Sequence, residues 1–279
     1  MKNKFIILML LACGLSSLLP AYEIPPPPED FEVAGGWKAS IDAGIAPSYF
    51  RTSDSKAKSD AYTKLLLNSG WTTAKSSFTN TPGLFNGGIS IGYDFGPHLD
   101  ERGWSCLTGV GYRYYAGPES LITANANASN GYLSGTEDTT MDVGAFYIFA
   151  QPTFHLNAHH AIFARVEGGL SVMDFQDNLS FYNSVKNPPS FSLDETASGT
   201  GYHGLVMLGY QFTPWRHFAF NVSAGLHEEV VNKTTLLTVK TNNLTTTDKA
   251  GDTVLGSDGY PLTEDFFGGQ ANISASFIW

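Results

Sequence analysis

Two cysteines, Cys13 and Cys106, are all that this chain of 279 residues contains. Cys13 sits in an N-terminal apolar run, so a chain trimmed after that run keeps Cys106 alone and forms no internal disulfide. Apolar stretches are scarce too. Beyond Ala21 no segment approaches the roughly 20 consecutive apolar residues that a membrane-crossing helix needs, so any membrane residence must come from strands. Charge is thin, at 15% of residues, and unbalanced: 16 Lys and Arg against 26 Asp and Glu give a formal charge of −10. Such a balance argues against binding nucleic acid through its phosphates. No convincing Ser/His/Asp set stands out. The chain therefore reads as a non-enzyme without a cofactor.

Aromatic residues (13%) and 29 glycines are plentiful, a profile suited to a barrel with aromatic belts and tight interior positions. The N-terminus carries Lys2 and Lys4, the apolar run Phe5 to Ala12 and a small residue, Ala21, after Leu19-Pro20. This pattern is a secretory signal. It divides the chain into a signal peptide (1–21), a proline-rich periplasmic segment (22–36) and a β-domain (37–279). Leu11-Ala12-Cys13 also resembles a lipobox, which leaves lipidation of Cys13 as the alternative to cleavage at Ala21. Pro25 to Pro28 make a stiff extended spacer.

The last segment, Phe267 to Trp279, sets the pattern for the rest. Trp279, Phe277, Ala275, Ile273 and Ala271 carry no polar side chain, and Ser276, Ser274, Asn272 and Gln270 alternate with them, as on a strand with one apolar and one polar face. Similar alternation recurs at Trp37 to Phe50, Phe85 to Phe95, Trp104 to Tyr115, Met141 to Phe154, Ala161 to Val172, Tyr202 to Phe212 and Phe218 to Leu226. Long polar connections alternate with short turns. All long connections then fall on one side and both chain ends on the other, with the last strand pairing to the first. The expected fold is all-β: an eight-stranded antiparallel up-and-down transmembrane barrel with four long extracellular loops and short periplasmic turns. Thr234 to Thr241 has strand character and is read as a hairpin arm above the membrane, with ten strands as the alternative. Trp37, Trp104, Trp215 and Trp279 all fall at the periplasmic ends, the headgroup level that tryptophan prefers, and Tyr49, Tyr112, Tyr114 and Tyr202 form the opposite girdle.

From residue 37 to 279 the chain resembles the small bacterial outer-membrane β-barrels of the opacity and Ail type. The resemblance rests on the alternating strands, the long and short connections and the terminal Ser274-Ala275-Ser276-Phe277-Ile278-Trp279. It implies residence in the outer membrane, contact with outer-membrane lipid and lipopolysaccharide, and a C-terminal signal for the barrel-assembly machinery carried by Ile273, Ala275, Phe277 and Trp279. The family more often ends on phenylalanine than on tryptophan. No active-site residues carry over.

Candidate lumen residues are Asp42, Arg113, Arg165 and Glu167, the charges on inward faces. Asp42 and Arg165, on strands expected to oppose each other, should meet across the lumen, either as a salt-bridge plug or as a constriction in a narrow solute channel. Leu107, Phe149, Phe163, Leu205 and Met207 also point inward, and their bulk argues against a wide channel. His203 and His227 lie near the outer mouth on neighbouring strands, as polar lumen residues or as a metal or acid–base site. The first long loop carries Lys56, Lys58, Lys64 and Lys75, a solvated face or a contact for anionic polymers. The functional expectation is a monomeric surface protein whose loops serve adhesion or envelope integrity by binding a host or surface ligand. A porin-like channel and a barrel enzyme acting on lipid are the alternatives.

Overall fold

The computed structural model describes residues 36–48, 52–96, 103–186, 190–215, 217–244, 246–254 and 264–279. The signal peptide, Cys13 and nearly all of the proline-rich segment lie outside the described residues. The strands are β1 (Gly36–Ser48), β2 (Thr73–Thr81), β3 (Gly83–Asp94), β4 (Trp104–Tyr115), β5 (Glu119–Ala128), β6 (Gly131–His155), β7 (His160–Asn183), β8 (Ser190–Trp215), β9 (Phe218–Asn242) and β10 (Glu264–Ile278), with one helix, α1 (Thr52–Asn68). No described helix is long and apolar enough to cross a membrane.

Eight of these strands close into an antiparallel ring, β1-β3-β4-β6-β7-β8-β9-β10, with β10 returning to β1. Closure pairs Ala39 with Phe277, Ile41 with Ala275 and Ala43 with Ile273. Trp37 and Trp279 exchange both backbone hydrogen bonds at 3.0 Å. The ring leaves no free sheet edge in the barrel, the condition for burying backbone in lipid.

The outward face of this ring is apolar. Ile41, Ile89, Val110, Ile148, Leu170, Leu208, Val222 and Ile273 are all exposed. Val166, which shares their parity on β7, is the exception and is covered. The four barrel tryptophans are exposed together at one end, where Trp37 meets Tyr93 edge-on at 5.6 Å and Trp279 stacks on Phe277 at 5.7 Å. At the other end the outward row turns polar: Phe146 is followed by Asp142, Leu170 and Val172 by Asp174 and Gln176, and Leu226 by Glu228. The apolar band between these limits has the 9–11 residues per strand that a bilayer requires.

The sequence-based boundaries fail above that line. Strands β6, β7, β8 and β9 run on for about ten residues or more past the apolar band, where extracellular loops were expected. Thr234 to Thr241 is the continuation of β9, not a separate hairpin arm. Strand β5 adds to the upper part of β6, from Glu119 opposite Thr140 to Ala128 opposite Gly131, and β2 adds to β5. The first long loop contains α1 and β2, and α1 packs on β2 and β5. The long connections thus form a folded head of six extended strands and a helix. The junction lies where the chain steps from β4 to β5 along β6. A Cβ at Gly117 would fall 1.0 Å from the Met141 carbonyl oxygen, so only glycine lets the backbone pass there.

Candidate functional site

The barrel interior is filled in layers. Nearest the tryptophan end, Lys38 sits 3.5 Å from Asp94 and donates to Gln211 at 3.5 Å. Above it Arg113 pairs with Asp42 at 2.5 Å and with Glu167 at 3.0 Å, and also donates to Asn86 at 3.1 Å. Arg165 donates to the same Glu167 oxygen at 2.6 Å and lies over the Phe149 ring at 3.9 Å. The four charges expected to share the lumen therefore do so, but the pairing differs: Asp42 meets Arg113, not Arg165. The register places Asp42, Gly88 and Arg113 side by side on β1, β3 and β4. Gly88 has no side chain to separate them, and a Cβ there would come within 2.9 Å of the Asp42 carboxylate.

His203 spans the two glutamates Glu167, at 3.1 Å, and Glu229, its cross-strand partner. His227 stacks on Tyr115 with ring centroids 5.3 Å apart. The two histidines lie on neighbouring strands and face inward, and both are buried, with the register giving each its own partner. Among the described residues no group of three or more His, Cys, Asp or Glu has the arrangement of a metal site. Leu107, Phe149, Phe163, Leu205 and Met207 are buried inside.

Next comes an apolar layer of Met141, Val143, Met173, Phe175, Val231 and Phe266. Two cavities among the described lumen residues measure about 20 Å³, between Lys38 and Arg113, and about 10 Å³, beside Tyr115 and His227. Each has room for about one water. A buried charge network of this density holds only because every member has partners, and removing one leaves the others uncompensated.

In the head the faces exchange roles. On β7 the inward residues pass from Arg165, Glu167 and Ser171 to Met173, Phe175, Leu179 and Phe181, while the outward ones pass from Leu170 to Asp174, Gln176 and Asn178. Helix α1 covers the inner face of this upper sheet. Its contact stripe is mostly polar: Ser59 donates to Ser76 at 2.9 Å, Thr63 and Ser76 hydroxyls lie 2.6 Å apart, and Lys58 pairs with Glu137 and, at 3.4 Å, with Asp177. Of the loop lysines, Lys58 is thus paired with Glu137 and Asp177, while Lys56, Lys64 and Lys75 are exposed.

The titration of this cluster follows from its burial. Burial, reinforced by the neighbouring Asp177 and opposed by Lys58, pushes the Glu137 carboxyl up to about 7. Burial would lower Lys58, but Asp177 and Glu137 outweigh it and hold the ammonium above its ordinary value. Tyr62, also on α1, is raised far above an ordinary phenol by burial and then by Glu137.

No protein-family model matches the chain, and no curated protein matches it. Solved structures similar to it include Ail, the attachment invasion locus protein of Yersinia pestis, at 15% identity and a TM-score of 0.31, covering 88% of this chain and 100% of Ail. Ail in complex with the heparin analogue sucrose octasulfate gives 12% identity and a TM-score of 0.32, covering 88% and 99%.

Proposed function

We propose that this protein is a bacterial outer-membrane β-barrel whose filled barrel serves as an anchor and whose folded head is the part that meets surface ligands. The carrying observation is the exchange of faces along β6 to β9. The outward row is apolar where lipid would cover it and turns to Asp142, Asp138 and Thr136 on β6 and to Asp174, Gln176 and Asn178 on β7 beyond it. A wall suited to lipid below and water above supports a head that stands outside the bilayer. Lipid and lipopolysaccharide are the neighbours of the apolar band, and the β10 row Ile273, Ala275, Phe277 and Trp279 supplies the apolar terminal strand for the assembly machinery. In this reading the chain is a monomer, secreted through a signal ending near Ala21.

The layered interior speaks against the channel reading. Conduction needs a continuous wet path, whereas Arg113, Glu167 and His203 form one bonded cluster beneath an apolar layer. The test uses intact cells producing the protein. A membrane-impermeant amine reagent should label the unaltered protein at Lys56, Lys64 and Lys75, and the purified protein should leave planar bilayers silent. Lysines that react only after cell lysis, or stable single-channel steps, would overturn the reading.

A further inference from the structure

The head contains a cavity of about 630 Å³ between the second half of α1, the turn after it and the far ends of β6, β7 and β8. It lies some nine residues along β6 beyond Asp142, roughly 30 Å of extended strand, so lipid does not cover it. Its walls are Tyr62, Leu66, Trp71, Leu133, Phe181 and Phe191. Along the barrel wall the exposed apolar side chains, such as Ile41 and Leu170, are the ones that lipid would cover. Here they face water.

The rings are held in place. Leu66 and Leu133 are buried at the floor, with Trp71 and Phe181 packed against them. Phe181 stacks on Phe191 with centroids 5.4 Å apart and planes at 21°, and Tyr62 tilts against Phe181 at 6.2 Å. A concave, preformed, aromatic-walled space of this volume is in the range of small-molecule sites, roughly 300–1,000 Å³. Its charge is also distinctive. In a chain of net charge −10, the lining contains no carboxylate and a single charged residue, the exposed Lys186, with Asn130 and Ser69 as further polar groups.

We propose that this cleft binds a small amphipathic anion, with an aromatic or acyl body against the rings and a carboxylate or sulfonate toward Lys186. The assignment rests on the reading of the head as the ligand-meeting part. It can fail independently, because binding is measured on purified protein wherever the cell places it.

The experiment takes the full mature protein in lipid nanodiscs, since detergent would compete for the cleft, and titrates three probes: a naphthalene sulfonate followed by its fluorescence, dodecanoate as a competitor, and dodecanol as the neutral analogue. Leu65→Glu adds a carboxylate at an exposed lining position on α1 and should weaken both anions at least tenfold. Lys186→Gln should weaken the anions several-fold and leave dodecanol unchanged. Lys75→Gln, outside the cleft, should change nothing. Displacement by dodecanoate identifies the acyl class as a ligand, and sulfonate binding that dodecanoate cannot displace identifies the aromatic one. No saturable binding of either anion, or binding that Leu65→Glu leaves intact, would overturn the proposal. Equal loss in Lys75→Gln and Lys186→Gln would overturn it too, by showing general surface attraction.

Discussion

The barrel wall and the head are built from the same four strands, yet their faces are inverted. On β6 the outward residues of the wall are Ile148 and Phe146, and those of the head are Asp142, Asp138 and Thr136; inside, Gln151 and Tyr147 give way to Met141, Val143 and Leu133. Alternation with a period of two marks a strand in both regions. It does not say which face is the core, because the surrounding solvent decides that. The wall buries an ion-paired layer around Arg113 and Glu167, whereas the head buries Leu66, Ala126 and Leu133 beside the polar stripe of Ser59, Thr139 and Glu137.

The largest effect expected on this contrast is loss of assembly. Phe277→Asp combined with deletion of Trp279 removes the apolar end of β10 and its pairing to Ala39 and Trp37, leaving open edges. Heat-modifiable gel migration should disappear, and the protein should collect outside the membrane fraction; normal membrane levels would contradict the role of β10.

Next in size is the lumen network. Glu167 is fully buried and accepts from Arg113, Arg165 and His203. Glu167→Ala leaves two guanidinium groups short of a partner and should cost about 3–5 kcal/mol, read as a lowered urea midpoint in refolding experiments. A change within a few tenths would mean that the network is solvated after all.

A third comparison sets wall against head directly. Ile273→Arg, on the outward face of the wall, should cost about 2–4 kcal/mol, as charges do near the midplane of other barrels. Asn178→Arg, on the outward face of the head, should stay within about 0.5 kcal/mol. Equal costs would erase the distinction between the two regions.

The smallest effect concerns α1 alone. Glu137 has a folded-state value near 7, above the ordinary 4.5, so it binds a proton more tightly in the folded head than in the unfolded chain. The stability it contributes is complete below about pH 4.5 and is lost as pH rises through 7. Lys58, held above its ordinary value, stays charged throughout that window. Hydrogen exchange should show α1 better protected at pH 5 than at pH 8, and Glu137→Gln, which mimics the protonated acid, should flatten that difference. Protection that instead rises with pH would reverse the sign of the coupling.

Much of the wall was legible in the sequence, because its strands alternate apolar outward residues with polar or small inward ones. The eight barrel strands, the tryptophan end and the inward charges all come from that pattern. The head was not legible, for identifiable reasons. Strand β5 reads Glu119-Ser-Leu-Ile-Thr-Ala-Asn-Ala-Asn-Ala128, rich in residues with low strand preference, and is a strand because β2 and β6 flank it. Helix α1 buries Ser55, Ser59 and Leu66, a stripe too polar for hydrophobic periodicity to show. Its one usable signal was a run of 17 residues without glycine or proline. At the lumen site the residue set was readable and the partners were not, since Gly88 at the shared level of β1, β3 and β4 decides that Asp42 meets Arg113. The aromatic cleft joins Tyr62 and Trp71 to Phe181 and Phe191, residues more than 100 positions apart, and needs the folded head to appear.

The central claim, that one face of one strand passes from lipid to water, is tested most directly by cysteine labelling along β7. Ile162→Cys, Leu170→Cys and Asn178→Cys, each in mature protein carrying Cys106→Ser and reconstituted in liposomes, would be treated with a membrane-impermeant and a lipid-soluble maleimide. Position 178 should react with both reagents, and positions 162 and 170, within the apolar band, should react with the lipid-soluble reagent alone. Equal reaction of 170 and 178 with the impermeant reagent would contradict the account, because the wall would then face water along its whole length.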